Sequence, residues 1–151
     1  MNDKKLYSTI LHVLFGILLA GFLNQCDRLN KPFGTEQHEQ DSLFQNITPA
    51  EAFALIQANQ NDPHFLIIDV RTPAEYNDGH IENAINIDYR SDSFRDEVGQ
   101  LDRNKSILIY CWSGGRSGSA LEMMKELGFK KVYNMLEGIN GWIAAGYPVV
   151  E

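Results

Sequence analysis

The sequence predicts an α/β fold, a mostly parallel sheet covered by helices on both sides. Three observations lead there. Phe65-Leu66-Ile67-Ile68 and Ser106-Ile107-Leu108-Ile109-Tyr110 are short, nearly unbroken apolar runs, as expected of strands buried on both faces. Thr48-Pro49-Ala50-Glu51 recurs as Thr72-Pro73-Ala74-Glu75, and each copy reads as a helix start. Between these landmarks strand-like and helix-like segments alternate, which calls for right-handed crossovers and a parallel sheet.

Each helix start has a physical logic. Threonine caps the first turn, proline fits the first helical position, and glutamate reaches back to complete a capping box. The flanking sequences differ, so the repetition is one local solution used twice rather than a domain repeat. The first copy predicts a helix over Ala50 to Ala58. Ala84-Ile85-Asn86-Ile87 and Lys131-Val132-Tyr133-Asn134 are weaker strand candidates. Helical patterns run from Ser93 to Leu101 and from Ser117 to Leu127, the latter with Gly128 as its C-terminal stop. A final turn or helix from Ile139 to Ala145 ends before Gly146 and Pro148.

With 151 residues, the chain has room for one domain and an appendage. Its net charge of −7 argues against a nucleic-acid partner, which requires a basic face. Two cysteines, Cys26 and Cys111, and four scattered histidines show neither a disulfide framework nor metal-ligand spacing. Neither a metal nor another cofactor is called for.

The appendage is N-terminal. Lys4 and Lys5 precede an apolar stretch from Ile10 to Leu23, the pattern of an export signal. Leu23-Asn24-Gln25-Cys26 resembles a bacterial lipobox, with Cys26 as the lipidation candidate, although Gln25 stands where that motif has a small residue. A cleaved signal ending at Ala20 and an uncleaved anchor over Leu6 to Leu23 are the competing forms. Residues 1–26 are thus read as signal or anchor and 27–45 as a flexible polar tether. Residues 46–151 form the folded domain. All three forms place that domain outside the cytoplasm, in a bacterial periplasm or cell envelope, with membrane attachment through the N-terminus favoured.

In open parallel sheets, sites gather at the carboxyl ends of the strands. That rule directs attention to the loop after Tyr110, Cys111-Trp112-Ser113-Gly114-Gly115-Arg116-Ser117. Two glycines let successive N–H groups converge on one point, and the helix that follows adds its positive end. A cysteine at such a cradle is expected to be a thiolate, and Arg116 adds a fixed charge suited to an oxyanion. A lone cysteine at a strand end is ordinarily just a small buried hydrophobe. The glycines, the arginine and the strand–loop–helix setting make Cys111 the catalytic candidate instead. Substrate binding is assigned to Trp112, Ser113, Gly114, Gly115, Arg116 and Ser117. Trp112 either shapes the pocket mouth or packs, and Ser117 reads first as a helix cap.

These motifs resemble the rhodanese domains. Asp69-Val70-Arg71 with Glu75-Tyr76, then Gly79-His80-Ile81 with Ala84 and Asn86-Ile87, matches their N-terminal signature. Cys111 to Ser117 matches their active-site loop. Glu137-Gly138-Ile139-Asn140-Gly141-Trp142 and Gly146-Tyr147-Pro148-Val149 match their C-terminal signature. The likeness runs from about Ile47 to Val150. Asn83 departs from it, standing where the family has glycine, but asparagine tolerates left-handed backbone angles. The resemblance implies a three-layer sandwich of about five mostly parallel strands flanked by helices, and a thiosulfate sulfurtransferase in which Cys111 takes a sulfane sulfur from thiosulfate or a related donor. The Cys111 persulfide then passes it to cyanide, a thiol or another acceptor. It further implies that Asp69, Arg71 and His80 support the loop structurally. The alternatives are a non-catalytic persulfide relay and a phosphatase of the related cell-cycle type. The phosphatase loop is one residue longer; here only Trp112 to Gly115 separate Cys111 from Arg116, a ring suited to a single sulfur atom.

Overall fold

The computed structural model describes residues 44–151. Cys26, the expected export segment and the tether as far as residue 43 lie outside the described residues. In chain order the elements are β1 (Phe44–Ile47), α1 (Pro49–Ala58), β2 (Phe65–Asp69), α2 (Pro73–Asn77) and β3 (Ala84–Asn86). They continue as α3 (Phe94–Gly99), β4 (Ser106–Tyr110), α4 (Gly115–Glu126), β5 (Lys131–Met135) and α5 (Gly138–Ala144). The five strands make one parallel sheet in the order β1-β5-β4-β2-β3.

β4 lies at the centre, and its alternate side chains feed two cores. Ile107 and Ile109 pack with Phe94 and Val98 of α3 and with Ala120, Leu121 and Met124 of α4. Leu108 and Tyr110 pack on the other face with Ala52 of α1 and Ile139 and Trp142 of α5. An apolar run with no polar alternate is therefore what a two-sided strand requires. Both expected capping boxes form: Glu51 N–H donates to Thr48 Oγ1 and Thr48 N–H to Glu51 Oε2, at 3.3 and 2.7 Å. Thr72 and Glu75 repeat the arrangement at 3.3 and 3.0 Å. Asn83 takes a left-handed φ of 64° and keeps the turn that the glycine would have made.

The structure moves three boundaries by two residues each. Phe44 and Gln45, assigned by their polar surroundings to the tether, form β1 with Asn46 and Ile47. This edge strand has neither an apolar run nor alternation; its pairing with β5, Phe44 opposite Val132 through Ile47 opposite Met135, defines it. α4 begins at Gly115, two residues before the expected start at Ser117, because Gly114 at φ 89° turns the chain into the helix. α3 is two residues shorter than expected at its C-terminal end, stopping at Gly99.

A buried ion pair fixes the exit of β2. Asp69 and Arg71 are 0% and 3% exposed and meet at 2.7 Å. Arg71 also donates to the Gly79 carbonyl at 2.6 Å, and Asn86 Nδ2 donates to the carbonyls of Asp69 and Arg71 at 2.9 and 2.8 Å. Next to this, His80 exchanges backbone hydrogen bonds with Val150 at 2.8 and 2.9 Å, and its ring stacks on Tyr76 at 3.8 Å. The three residues thus join the end of β2, the turn before β3 and the C-terminal strap.

Replacing Asp69 by alanine leaves the Arg71 guanidinium buried and half-partnered. The expected loss is about 3–5 kcal/mol of stability in urea denaturation. A loss below about 1 kcal/mol, the scale of an exposed pair, would show that this pair does not hold the turn.

Candidate active site

Chain order reverses across the sheet between β2 and β4, since β3 lies on one side of that pair and β5 and β1 on the other. The crevice at such a switch point opens at the carboxyl ends of the strands. β4 ends there and delivers Cys111, which is 1% exposed.

The loop wraps the cysteine sulfur in donors. Gly114 N–H donates to Cys111 Sγ at 3.2 Å, and the Ser117 hydroxyl lies 3.5 Å from the same atom. Burial pushes the Cys111 thiol up. The N–H and hydroxyl of Ser117, with the N–H groups of Ser113 and Gly114, more than offset this and hold it below its ordinary value. The thiolate is the nucleophilic form of cysteine. Ser117 thus sits in the first turn of α4 rather than capping it, and its hydroxyl is shared between the sulfur and the Gly114 carbonyl at 3.2 Å.

N–H groups that face inward force carbonyls outward, and these need donors of their own. The N-terminus of α5 supplies them: Ile139 N–H donates to Cys111 O at 2.8 Å and Asn140 N–H to Trp112 O at 3.1 Å. The approach is so close that a Cβ on Gly138 would stand 2.2 Å from Cys111 O, and its φ of 56° is left-handed. Glu137 before it is also left-handed, at φ 61°. Of the two loop glycines, only Gly114 is sterically required: its φ is 89° and a Cβ would meet Glu137 N at 3.2 Å. Gly115 has open space around it.

Arg116 does not stand free. Its two terminal nitrogens donate to the carboxylate oxygens of Glu75 at 2.9 and 2.7 Å. That pairing raises the Arg116 guanidinium and holds the Glu75 carboxyl well below the usual carboxylate range. Trp112 is 48% exposed, so it forms the rim and not the packing beneath it, and Ser113 beside it is exposed as well. Asp69, Arg71 and His80 make no hydrogen bond to the Cys111–Ser117 loop; they hold the scaffold beside it.

Glu75, Gly138, Ile139 and Asn140 have no site role that the sequence alone reveals. Glu75 carried a visible signal as the last residue of a capping box, but its second partner lies 41 positions away. Gly138 stood in the C-terminal signature without an assigned purpose. A cavity of about 450 Å³ bordered by Phe53, Ile81 and Trp142 is separate from the loop, none of whose residues line it. Among the described residues, no three His, Cys, Asp or Glu side chains converge as metal ligands would. None of the described helices is long and apolar enough to cross a membrane.

Two outcomes follow from this geometry. The rate of Cys111 alkylation rises with pH as thiolate forms, with a midpoint below that of an ordinary thiol. Removing a donor in Ser117→Ala raises that midpoint, whereas an unmoved midpoint means that the hydroxyl does not stabilise the anion. Gly138→Ala displaces the loop from α5 and costs about 2–4 kcal/mol of stability in denaturant unfolding together with most alkylation reactivity. Retention of both would show that the clamp is dispensable.

Comparison with known proteins agrees with the fold. The family model for the rhodanese-like domain matches residues 49–145. A rhodanese-related protein from Thermoplasma volcanium has a similar solved structure, with a TM-score of 0.61 and 34% sequence identity, covering 71% of this chain and 98% of that one. A sulfurtransferase from Allochromatium vinosum is 29% identical over 104 residues, 69% of this chain and 95% of its own length. A tRNA uridine(34) hydroxylase from Yersinia pestis is 41% identical over 91 residues, and this chain spans only 25% of it. With its three motifs in one parallel sheet and the family model covering most of the described residues, the chain belongs to the rhodanese-like domain family.

Proposed function

We propose that the protein is a sulfurtransferase that carries sulfane sulfur on Cys111, with thiosulfate or a related anion as donor and a thiol or cyanide as acceptor. The observation that carries this reading is the convergence of loop N–H groups and a hydroxyl on one atom, Cys111 Sγ. The thiolate attacks the outer sulfur of thiosulfate. The donor's S–S bond breaks, sulfite leaves with its electron pair, and Cys111 holds the sulfur as a persulfide anion. No proton or oxidant is consumed. An acceptor thiolate or cyanide then attacks the terminal sulfur and regenerates the Cys111 thiolate. Charge is conserved at each step, and the same N–H groups serve the anion before and after.

A second reading rests on the 41% identity with the tRNA uridine(34) hydroxylase. Under it the chain would serve uridine oxidation in RNA. The shared segment is a quarter of that relative, and the net charge of −7 disfavours an RNA partner, so sulfur transfer is the better supported. Export is part of the proposal, resting on Lys4, Lys5 and the apolar stretch that follows. The mature N-terminus tests it by mass: a lipidated Cys26 or a cut after Ala20 supports processing and export, and an intact Met1 in the cytosolic fraction contradicts them.

Incubation with thiosulfate is expected to add one sulfur atom to Cys111, and cyanide then releases thiocyanate. Cys111→Ser abolishes both. No gain of sulfur, alongside phosphatase turnover, overturns the reading. Sulfur gained only from a partner protein, without thiosulfate turnover, means a relay. Arg116→Ala is expected to raise the KM for thiosulfate more than it lowers kcat. An unchanged KM means that Arg116 only supports the loop.

A further inference from the structure

Arg116 is the cation of the active-site loop, yet it is already matched. Both of its terminal nitrogens are bonded to Glu75, and side-chain exposures of 18% and 33% keep the pair partly out of water. Glu75 is itself immobilised, because Oε2 also accepts from Thr72 N–H and Thr72 Oγ1 at 3.0 and 2.8 Å. The carboxylate is therefore a fixed counter-charge and not a passing surface partner. Arg116 retains hydrogens that Glu75 does not use, so it can still bond a donor, but the pair as a whole carries no net charge. The loop then offers an incoming anion chiefly neutral N–H and O–H groups. Those groups suit one negative charge, and a second charge finds Glu75 close by.

We propose that Glu75 is the positioning residue that sets the charge selectivity of the site: by neutralising Arg116 it favours singly charged sulfur donors over doubly charged ones. This rests on the sulfur-transfer reading above. Thiosulfate and methanethiosulfonate separate the two classes, since a methyl group replaces one oxyanion and the leaving group changes from sulfite to methanesulfinate. The bonds exchanged are otherwise the same. The Cys111–sulfur bond forms, the donor S–S bond breaks, and its electron pair departs with the sulfinate or sulfite.

Glu75→Gln tests this with the capping acceptor retained. The expected result is a fall of about tenfold in the KM for thiosulfate, the effect of one partly buried charge. The KM for methanethiosulfonate should change by less than about threefold, and kcat for either donor should change little. A thiosulfate KM that rises or stays fixed overturns the proposal and leaves Glu75 as a helix cap. So does an equal change for both donors. The wild-type protein provides a check that needs no variant. Its thiosulfate KM should vary with ionic strength no more steeply than its methanethiosulfonate KM, and a steeper thiosulfate dependence overturns the proposal. If the wild-type chain forms no Cys111 persulfide from either donor, the sulfur-transfer reading itself has failed. That result is distinct from an unaltered selectivity in a chain that does form one.

Discussion

A peptide unit cannot present its N–H and its carbonyl to the same side, and that geometric fact governs this site. To aim the Ser113 N–H at Cys111 Sγ, the loop must turn the Trp112 carbonyl, which shares its peptide unit, the other way, and the Cys111 carbonyl points out beside it. Buried carbonyls without donors are costly, so something must meet them. Here it is the first turn of α5, through Ile139 and Asn140. Left-handed backbone at Glu137 and Gly138, and the lack of a side chain at Gly138, follow from that requirement. So does the packing of Ile139 and Trp142 under the sheet, which seats the helix. The reactive sulfur is thus held by a helix that contributes no side chain to it.

Two opposed effects meet at the sulfur. Burial favours the neutral thiol, whereas donors around it favour the anion, and here the donors win. Arg116 contributes from the rim, but its charge is divided between the loop and Glu75. This separates two tasks that a single free arginine would combine. Stabilising the thiolate falls mainly to neutral backbone dipoles, while the rim pair adjusts which anions approach. Neutral dipoles suit a carrier because the thiolate and the persulfide bear the same charge.

Much of this was legible from the chain itself. The β2 and β4 runs, both capping boxes and the position of Cys111 after a central strand depend on local pattern, and each is found where the pattern places it. What escaped was non-local or weakly patterned. β1 has two polar residues in four and is defined only by its partner β5. The roles of Glu75 and Gly138 come from contacts across 41 and 27 positions, and spacing along the chain does not reveal such contacts. Gly115 shows the converse: a glycine in the right loop that neither backbone angle nor space requires. Ser117 was recognisable as a polar group at a helix start, but the earlier turn at Gly114 moves it inward, onto the sulfur.

If this site carries sulfur, the loop N–H groups receive the transferred atom. A crystal structure of the domain after thiosulfate treatment tests it most directly. One additional sulfur is expected, bonded to Cys111 Sγ and lying within hydrogen-bond reach of the loop N–H groups between Ser113 and Ser117. A modified cysteine whose extra sulfur points to solvent, with those N–H groups unengaged, would contradict it.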